Sequence, residues 1–149
     1  MIEHLGARDL PELAACARDF YAASRFLHTF DMARFEAVWT TLLASGTGVV
    51  LGLREDGEVV GTIGGVVYAE PYSGDLIATE FFWFVRPGRR GGGMRLYRAF
   101  EAWAREQNCT QIRMGHLSDS MPQKVKRVYE RLGFEEVETN YAKPLRSTP

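Results

Sequence analysis

A glycine-rich segment, Pro87-Gly88-Arg89-Arg90-Gly91-Gly92-Gly93, carries the strongest chemical signal in this sequence. Three consecutive glycines leave the backbone without Cβ atoms, so neighbouring amide N–H groups can converge on one anion. The amphipathic pattern that follows predicts a helix, which adds unpaired N–H groups and the positive end of its dipole. Arg89, Arg90 and Arg95 add positive charge. The segment therefore predicts a pyrophosphate site, although a glycine triplet taken alone is more often a solvated loop.

Two better-known phosphate motifs are absent from this sequence. No Gly-x4-Gly-Lys-Ser/Thr pattern occurs, which excludes the nucleotide-triphosphate loop. No Gly-x-Gly-x-x-Gly pattern occurs either, and the glycine-rich segment does not follow the first predicted strand, as the dinucleotide fingerprint requires. The sequence therefore excludes these two classes of nucleotide site and leaves open which phosphate-bearing ligand the segment binds.

The first half of the chain is predicted to place one central strand directly before the glycine-rich segment. Asp56-Gly57 is a strong two-residue hairpin signal. The run Phe81–Val85 is apolar without alternation, which is typical of a central strand covered on both faces. In chain order the predicted elements are a short strand in 1–8, two helices capped by Asp9 and Asp31, and strands at 49–53, 58–68 and 76–85.

The second half is predicted to continue with alternating helices and strands. Leu96, Phe100 and Trp103 make one apolar stripe on the helix that follows the glycines. The remaining elements are a strand at 111–117, a helix with Pro122 near its start and Gly133 at its end, and one or two strands in 134–145. This order predicts a single α/β (α+β) domain over 1–149, with a mixed sheet and helices on its faces.

Two spaced segments resemble the acetyltransferases of the GNAT superfamily. The first is Val85-x-Pro87-x-x-Arg90-Gly91-x-Gly93-Met94 at the start of a helix. The second is Val128-Tyr129-Glu130-Arg131-Leu132-Gly133-Phe134, which is similar to that family's Tyr-x-x-x-Gly-Phe segment. The resemblance covers residues 48–145, and residues 10–45 match only in having two helices.

The resemblance implies a fold, a cosubstrate and a reaction. It implies a mixed central sheet of about six or seven strands flanked by about four helices. It implies an acyltransferase that moves acetyl directly from acetyl-CoA to the primary amine of a small molecule or a protein. The residues expected to bind CoA are Val85, Arg89, Arg90, Gly91, Gly92, Gly93, Met94 and Arg95.

The sequence departs from the family pattern at two positions. Arg95 stands where the family pattern Arg/Gln-x-x-Gly-x-Gly/Ala, counted from Arg90, ends in a small residue. Pro122 stands seven residues before Tyr129, where the family often carries an asparagine that contacts CoA. We therefore expect different packing of the helix at Arg95 and no CoA contact from the side chain at position 122.

Tyr129 and Glu80 are the predicted catalytic pair. The position of Tyr129 in the family segment implies a proton donor to the departing CoA sulfur, and a phenol keeps its proton at neutral pH. Glu80 enters the predicted central strand, where a carboxylate is costly unless it lies at an opening, so it is a candidate general base. His116 and Asp119 are rival bases, and both tyrosine and glutamate could instead have only a packing or edge role.

The acceptor side is less defined by the sequence. The resemblance places the connection 24–30 and the loop 71–75 beside the acceptor, where Phe26, Phe30 and Tyr72 either form an aromatic wall or belong to the core. The alternatives are a longer acyl group, a non-catalytic CoA-binding or regulatory module of the same fold, and an interaction domain without a cofactor.

The composition is that of an ordinary globular protein. The chain has 149 residues, 46% of them hydrophobic, and a net charge of -1. No strong basic field points to nucleic acid, and no apolar run suggests a membrane span or a signal peptide. Cys16 and Cys109 and the three histidines lack metal-ligand spacing, so no metal site is predicted. We expect a cytoplasmic protein, and a homodimer stays open.

Overall fold

The computed structural model describes residues 1–22, 29–89, 91–116 and 122–146. The strands are β1 (Ile2–His4), β2 (Gly48–Glu55), β3 (Glu58–Ala69), β4 (Leu76–Val85) and β5 (Gln111–Arg113). The helices are a 3-10 turn (Ala7–Asp9), α1 (Leu10–Ala22), α2 (Met32–Ala44), α3 (Gly92–Glu106) and α4 (Pro122–Arg131). Strands β1 to β4 pair antiparallel in sequence order, and β5 is parallel to β4. No helix in the described ranges is long and apolar enough to cross a bilayer.

Helices cover both faces of the sheet because alternate residues of β2 point to opposite sides. Leu51 and Leu53 belong to a buried cluster with Phe100 of α3. Val50 belongs to a second cluster with Leu13 of α1, and α2 contributes to the same cluster. The prediction of a mixed sheet with helices on its faces is therefore confirmed.

The sequence correctly predicted a hairpin turn and one of two helix caps. Asp56 and Gly57 have φ values of 51° and 84°, as the predicted two-residue hairpin requires. The Asp31 carboxylate accepts a hydrogen bond from the backbone N–H of Arg34 at 2.9 Å and caps α2 as predicted. Asp9 differs, because it lies in the 3-10 turn and its carboxylate accepts a hydrogen bond from Gly6 N–H at 2.8 Å.

A β-bulge interrupts β4 at its centre. Gly65 is opposite Glu80 and Gly64 is opposite Phe82, so Phe81 has no partner on β3. Phe82 packs on the side of α1 and α2. Phe81 is 57% exposed, so the expectation that the run Phe81–Val85 is covered throughout is wrong at that residue. The alternation of faces restarts after the bulge, which explains why no regular pattern appears in the sequence.

Strands β4 and β5 part shortly after they meet. Their pairs run from Ile77–Gln111 to Thr79–Arg113, and β5 then ends while β4 continues to Val85. The predicted strand at 111–117 is therefore shorter than expected, with residues 114–116 outside any strand and Leu117 outside the described residues. Strand β4 therefore continues through Glu80 without a paired residue of β5.

The described residues contain five strands, fewer than the six or seven expected. The difference lies in 134–145, where the predicted terminal strands are absent. Its larger apolar side chains recur every four residues and would share one face of a strand, but no described element covers that face. They are largely exposed: Val137 by 72%, Tyr141 by 95% and Leu145 by 91%.

Gly65→Ala tests the close packing that supports the bulge. A Cβ at Gly65 would lie 2.4 Å from the carbonyl oxygen of Thr79 and 2.7 Å from Cζ of Phe100. We expect the variant to lose about 3 kcal/mol of unfolding free energy, because a backbone atom cannot yield as a side chain can. Gly6→Ala is the matched control, since the nearest atom to its Cβ is 4.0 Å away. Chemical denaturation of both variants decides, and equal midpoints would contradict the prediction.

Candidate active site

The start of α3 is open to a ligand. Gly91 precedes the helix with φ at 73°, a left-handed conformation that glycine adopts without strain. Apart from its two neighbours in the chain, no described residue has an atom within 4 Å of a Cβ built at Gly91. The first amides of α3 and the positive end of its dipole therefore adjoin free space, which fits a phosphate group.

The three glycines of the turn are required for different reasons. Gly91 supplies the left-handed φ. A Cβ at Gly92 would lie 2.7 Å from Cδ2 of Leu53, so this glycine lets the helix start pack on β2. A Cβ at Gly93 would lie 3.6 Å from the Trp83 ring, which is ordinary contact. Steric need for glycine is thus strong at the first two positions and weak at the third.

The arginines of the turn differ in their surroundings. Nη1 of Arg89 pairs with Oε2 of Glu55 at 2.8 Å, so part of its charge is already neutralised. Arg95 is exposed on the first turn of α3. Arg90 lies outside the described residues. The expected CoA contacts of these residues stay predictions.

Two apolar residues predicted to contact CoA lie beside the turn. Cγ1 of Val85 is 3.4 Å from the position of a Cβ on Gly92, so Val85 packs beneath the helix start. Met94 is half-buried in the first turn of α3. For these residues too, the contact with CoA stays a prediction.

Glu80 and Tyr129 meet at Gly115. Oε2 of Glu80 accepts a hydrogen bond from the backbone N–H of Gly115 at 3.2 Å. The Tyr129 hydroxyl donates to the carbonyl oxygen of Gly115 at 2.6 Å. The two predicted catalytic side chains, far apart in the sequence, therefore hold the two polar groups of one residue.

Two elements bring these side chains together. Gly115 lies beyond the last pair of β4 and β5, so the Glu80 carboxylate takes the N–H that a continued strand pair would have used. On α4, Gly133 has φ at 88° and the N–H of Phe134 bonds the carbonyl of Tyr129 at 2.9 Å. The Phe134 ring lies 5.4 Å from that of Tyr129. The predicted stop at Gly133 thus fixes the helix end that carries Tyr129.

The environment separates the proton affinities of this pair. Burial raises the pKa of Glu80 to about 7, and the hydrogen bond from Gly115 offsets only part of that effect. Burial raises the pKa of Tyr129 above its ordinary value, and the negative charge of Glu80 raises it further. At neutral pH Glu80 can therefore accept a proton while Tyr129 keeps its own, which is the division that acid–base catalysis needs.

The family follows from comparison of the whole chain. The model of the acetyltransferase (GNAT) family matches residues 12–134. The chain belongs to the GNAT family. No curated protein sequence matches the chain.

Solved structures share this fold at low sequence identity. A predicted acetyltransferase from Clostridium acetobutylicum, solved with acetyl-CoA, has a TM-score of 0.80 at 16% identity, over 97% of this chain and 96% of that chain. A ribosomal-protein-alanine N-acetyltransferase from Brucella melitensis biovar Abortus 2308 has a TM-score of 0.71 at 20% identity, over 97% and 99%. An aminoglycoside acetyltransferase from an uncultured soil metagenomic sample, in complex with sisomicin, has a TM-score of 0.74 at 21% identity, over 97% and 95%.

The structure describes His116, one of the two alternative general bases, and Pro122, which departs from the family pattern. His116 follows Gly115 and is exposed, whereas Asp119 lies outside the described residues. Pro122 begins α4, a position where its missing N–H costs nothing. Glu80 therefore places a buried carboxylate beside Tyr129, whereas the His116 side chain is exposed.

The structure describes two of the three aromatic residues that could form a wall on the acceptor side or belong to the core. The Phe30 ring packs 5.6 Å from the rings of Tyr21 and Phe35. Tyr72 is 98% exposed and contributes to no packed surface, and Phe26 lies outside the described residues. The exposed aromatic residue nearest to Glu80 along the chain is instead Phe81 of the bulge.

Sequence reasoning missed two residues of this GNAT site. Gly115 gave no signal, because a glycine after a strand is common. Trp83 donates from Nε1 to the carbonyl of Gly93 at 3.2 Å, and its ring stacks on Tyr129. Because the bulge disrupts alternation, the sequence does not show which face of β4 carries Trp83.

The raised pKa of Glu80 predicts a pH-dependent stability that Glu80→Gln should remove. A folded pKa of about 7, above the unfolded 4.5, means that ionisation opposes folding. Its unfavourable contribution is absent below pH 4.5, grows through this interval and is complete above pH 7. We expect the stability of Glu80→Gln, relative to wild type, to be about 2 kcal/mol higher at pH 8 than at pH 5. Urea unfolding at both pH values measures this difference.

The matched control for this measurement is Glu106→Gln, which removes an exposed carboxylate from α3. Its stability relative to wild type should be nearly the same at the two pH values. If the stability of Glu80→Gln changed with pH as much as that of wild type, folding would not raise the pKa of Glu80, and the prediction would be wrong.

Proposed function

We propose that this protein transfers an acetyl group from acetyl-CoA directly to a primary amine, with Glu80 as general base and Tyr129 as general acid. One observation carries the proposal: a carboxyl with a pKa of about 7 and a protonated tyrosine hydroxyl meet at Gly115. Such a pair can take a proton from one group and give a proton to another at neutral pH. Strands β4 and β5 are unpaired beyond Thr79 and Arg113, and the reacting groups are proposed to meet the pair at this point.

The open turn at the start of α3 supports the other half of the proposal. The amides and dipole of that helix start, together with the space beyond Gly91, suit the pyrophosphate of CoA. Acetyl-CoA supplies a thioester, whose carbonyl carbon is the electrophile. Arg95 is exposed there and can approach a phosphate, whereas Arg89 must first leave Glu55.

The proposed proton transfers balance the reaction. The amine nitrogen forms a bond to the carbonyl carbon, and the bond from that carbon to sulfur breaks. The amine loses a proton to the Glu80 carboxylate, directly or through a water molecule. The departing sulfur takes its proton from the Tyr129 hydroxyl.

The interaction between the two groups favours this order of events. The Glu80 charge is one cause of the raised pKa of Tyr129. Once Glu80 has accepted the amine proton that charge is gone, so Tyr129 becomes a better acid at the step that requires it. A thiolate is a charged acceptor and competes with the carbonyl of Gly115 for the hydroxyl proton.

The proposed acceptor is a small-molecule or a protein amine. Structures with this fold include enzymes named for an aminoglycoside and for the alanine of a ribosomal protein, at identities that establish only the fold. Phe81 is exposed beside Glu80 in the chain and offers an apolar contact to either class.

The glycine turn is tested by adding a charge at Gly91. Gly91→Asp should raise the Kd for CoA about tenfold or more, because a carboxylate would face the phosphates across a few ångströms. Gly91→Asn is the matched control, since asparagine has the same shape and tolerates a positive φ without the charge. Arg95→Ala should weaken binding less than Gly91→Asp. Calorimetric titration with CoA ranks the three variants, and the largest loss in Arg95→Ala would refute this placement of the phosphates.

Tyr129→Phe tests the proposed reaction itself. We expect kcat to fall about a hundredfold with little change in the KM for acetyl-CoA, since only the phenolic proton is removed. The lost bond to Gly115 should cost about 1 kcal/mol of stability, so turnover is compared at a temperature where both proteins are folded. The measurement is release of CoA thiol from acetyl-CoA with a panel of primary amines.

Two results of that assay would contradict the proposal. Near-wild-type kcat in folded Tyr129→Phe would remove Tyr129 from the mechanism. Wild-type protein that binds CoA but shows no amine-stimulated thiol release over a broad panel would instead identify the domain as a non-catalytic CoA-binding module.

A further inference from the structure

The Trp83 side chain contacts both halves of the candidate site. It lies on β4, on the face of the sheet covered by α3, and is partly buried. Its Nε1–H donates a hydrogen bond to the carbonyl oxygen of Gly93 at 3.2 Å. Its ring stacks against Tyr129, with 6.4 Å between centroids and 24° between planes. One side chain of β4 therefore contacts both Tyr129, the proposed acid, and the turn Gly91–Gly93 that we propose binds pyrophosphate, called the phosphate turn below.

The bond to Gly93 attaches the first turn of α3 to the sheet. A helix carbonyl normally accepts one hydrogen bond, from the N–H four residues later. The indole of Trp83 adds a second donor from outside the helix. The ring lies beside this residue, 3.6 Å from the position of a Cβ on Gly93, which is ordinary contact. The direction of the first amides of α3 is thereby fixed relative to β4.

The contact with Tyr129 attaches α4 to the same strand. A separate aromatic contact joins Tyr97 of α3 to Phe134, with centroids 6.0 Å apart. Phe134 follows the end of α4, and Tyr97 lies beyond the first turn of α3. Among the described residues, Trp83 thus both bonds the turn and stacks on the tyrosine.

We propose that Trp83 is a positioning residue that holds the phosphate turn and the Tyr129 hydroxyl in a fixed relation. The inference rests on the proposed function, because it takes these groups as the CoA site and the acid. A molecule held at its pyrophosphate can present its sulfur to Tyr129 only if the separation between the two groups is constant. Trp83 sets that separation through its indole N–H at one end and its ring face at the other.

Two substitutions separate these contacts. Trp83→Phe keeps an aromatic ring beside Tyr129 and removes the donor to Gly93. Trp83→Leu removes both the donor and the ring. Trp103→Phe is the matched control, because Trp103 is a buried tryptophan of the same core cluster, stacked on Phe100 within α3. Each protein is assayed well below its melting temperature, so that the fraction folded is the same.

The first readout is the Kd for CoA alone, measured by calorimetry. We expect Trp83→Phe to raise this Kd about fivefold, since one hydrogen bond that orients the turn is lost. Trp103→Phe should stay within about twofold of wild type. A purely structural role for Trp83 would lower the melting temperature in both variants and leave both Kd values unchanged.

The second readout is thiol release from acetyl-CoA with water as acceptor, in which acetate leaves and the sulfur takes a proton. Trp83→Leu should lower this kcat about tenfold, whereas Trp83→Phe should leave it nearly unchanged. In a Tyr129→Phe background, the leucine substitution should have no further effect on kcat, because the group that it displaces is already absent. This non-additivity would not arise from a general loss of packing.

The outcomes separate the two proposals. A CoA Kd for Trp83→Phe within twofold of wild type, or a full additional loss of kcat for Trp83→Leu in the Tyr129→Phe background, overturns the role of Trp83 and leaves the proposed function standing. Wild-type protein that does not bind CoA overturns both. If Trp83→Leu does not fold, the Kd of Trp83→Phe decides alone.

Discussion

Strands β4 and β5 are paired only as far as Thr79 and Arg113, and the next residue of β4 is a glutamate. A β-bulge follows immediately at Phe81 and changes which face of the sheet the later side chains of β4 point to, while β5 ends. The N–H of Gly115, which a longer strand would have bonded to β4, is bonded by the Glu80 carboxylate instead. The carboxylate is therefore held where the strand pairing ends, and Tyr129 completes the arrangement from α4.

This arrangement stores unfavourable free energy at the site. Glu80 is half-buried without an ion-pair partner among the described residues, and burial raises its pKa to about 7. The adjacent hydroxyl of Thr79 is buried and has no hydrogen-bond partner among those residues, which typically costs about 1 to 3 kcal/mol. The glycines of β3 offset such losses elsewhere, because they let Phe82 and Phe100 pack directly on the backbone.

The sequence predicts what depends on local chemistry and misses what depends on pairing between distant strands. Asp31 and Gly133 were placed correctly because a cap and a left-handed stop are chemical needs of a helix end. Glu80 was a candidate because a carboxylate in a buried strand is costly. Tyr129 was a candidate because it lies in a segment that resembles the GNAT family. Their meeting at Gly115 depends on where β4 and β5 part, and the bulge leaves no periodic signal. The terminal strands were wrongly predicted because Val137, Tyr141 and Leu145 would share one strand face, yet no described element packs against them.

The charge of Glu80 links the protonation states of the two side chains. With Glu80 ionised, the N–H of Gly115 donates to a full negative charge, and the hydroxyl of Tyr129 is held at the carbonyl. That N–H and that carbonyl belong to different peptide groups, so the coupling acts through the field of the carboxylate and not through the backbone. When Glu80 takes a proton, the field that disfavours tyrosinate falls. In the proposed mechanism, the proton that the base accepts therefore makes the acid stronger at the step that requires it.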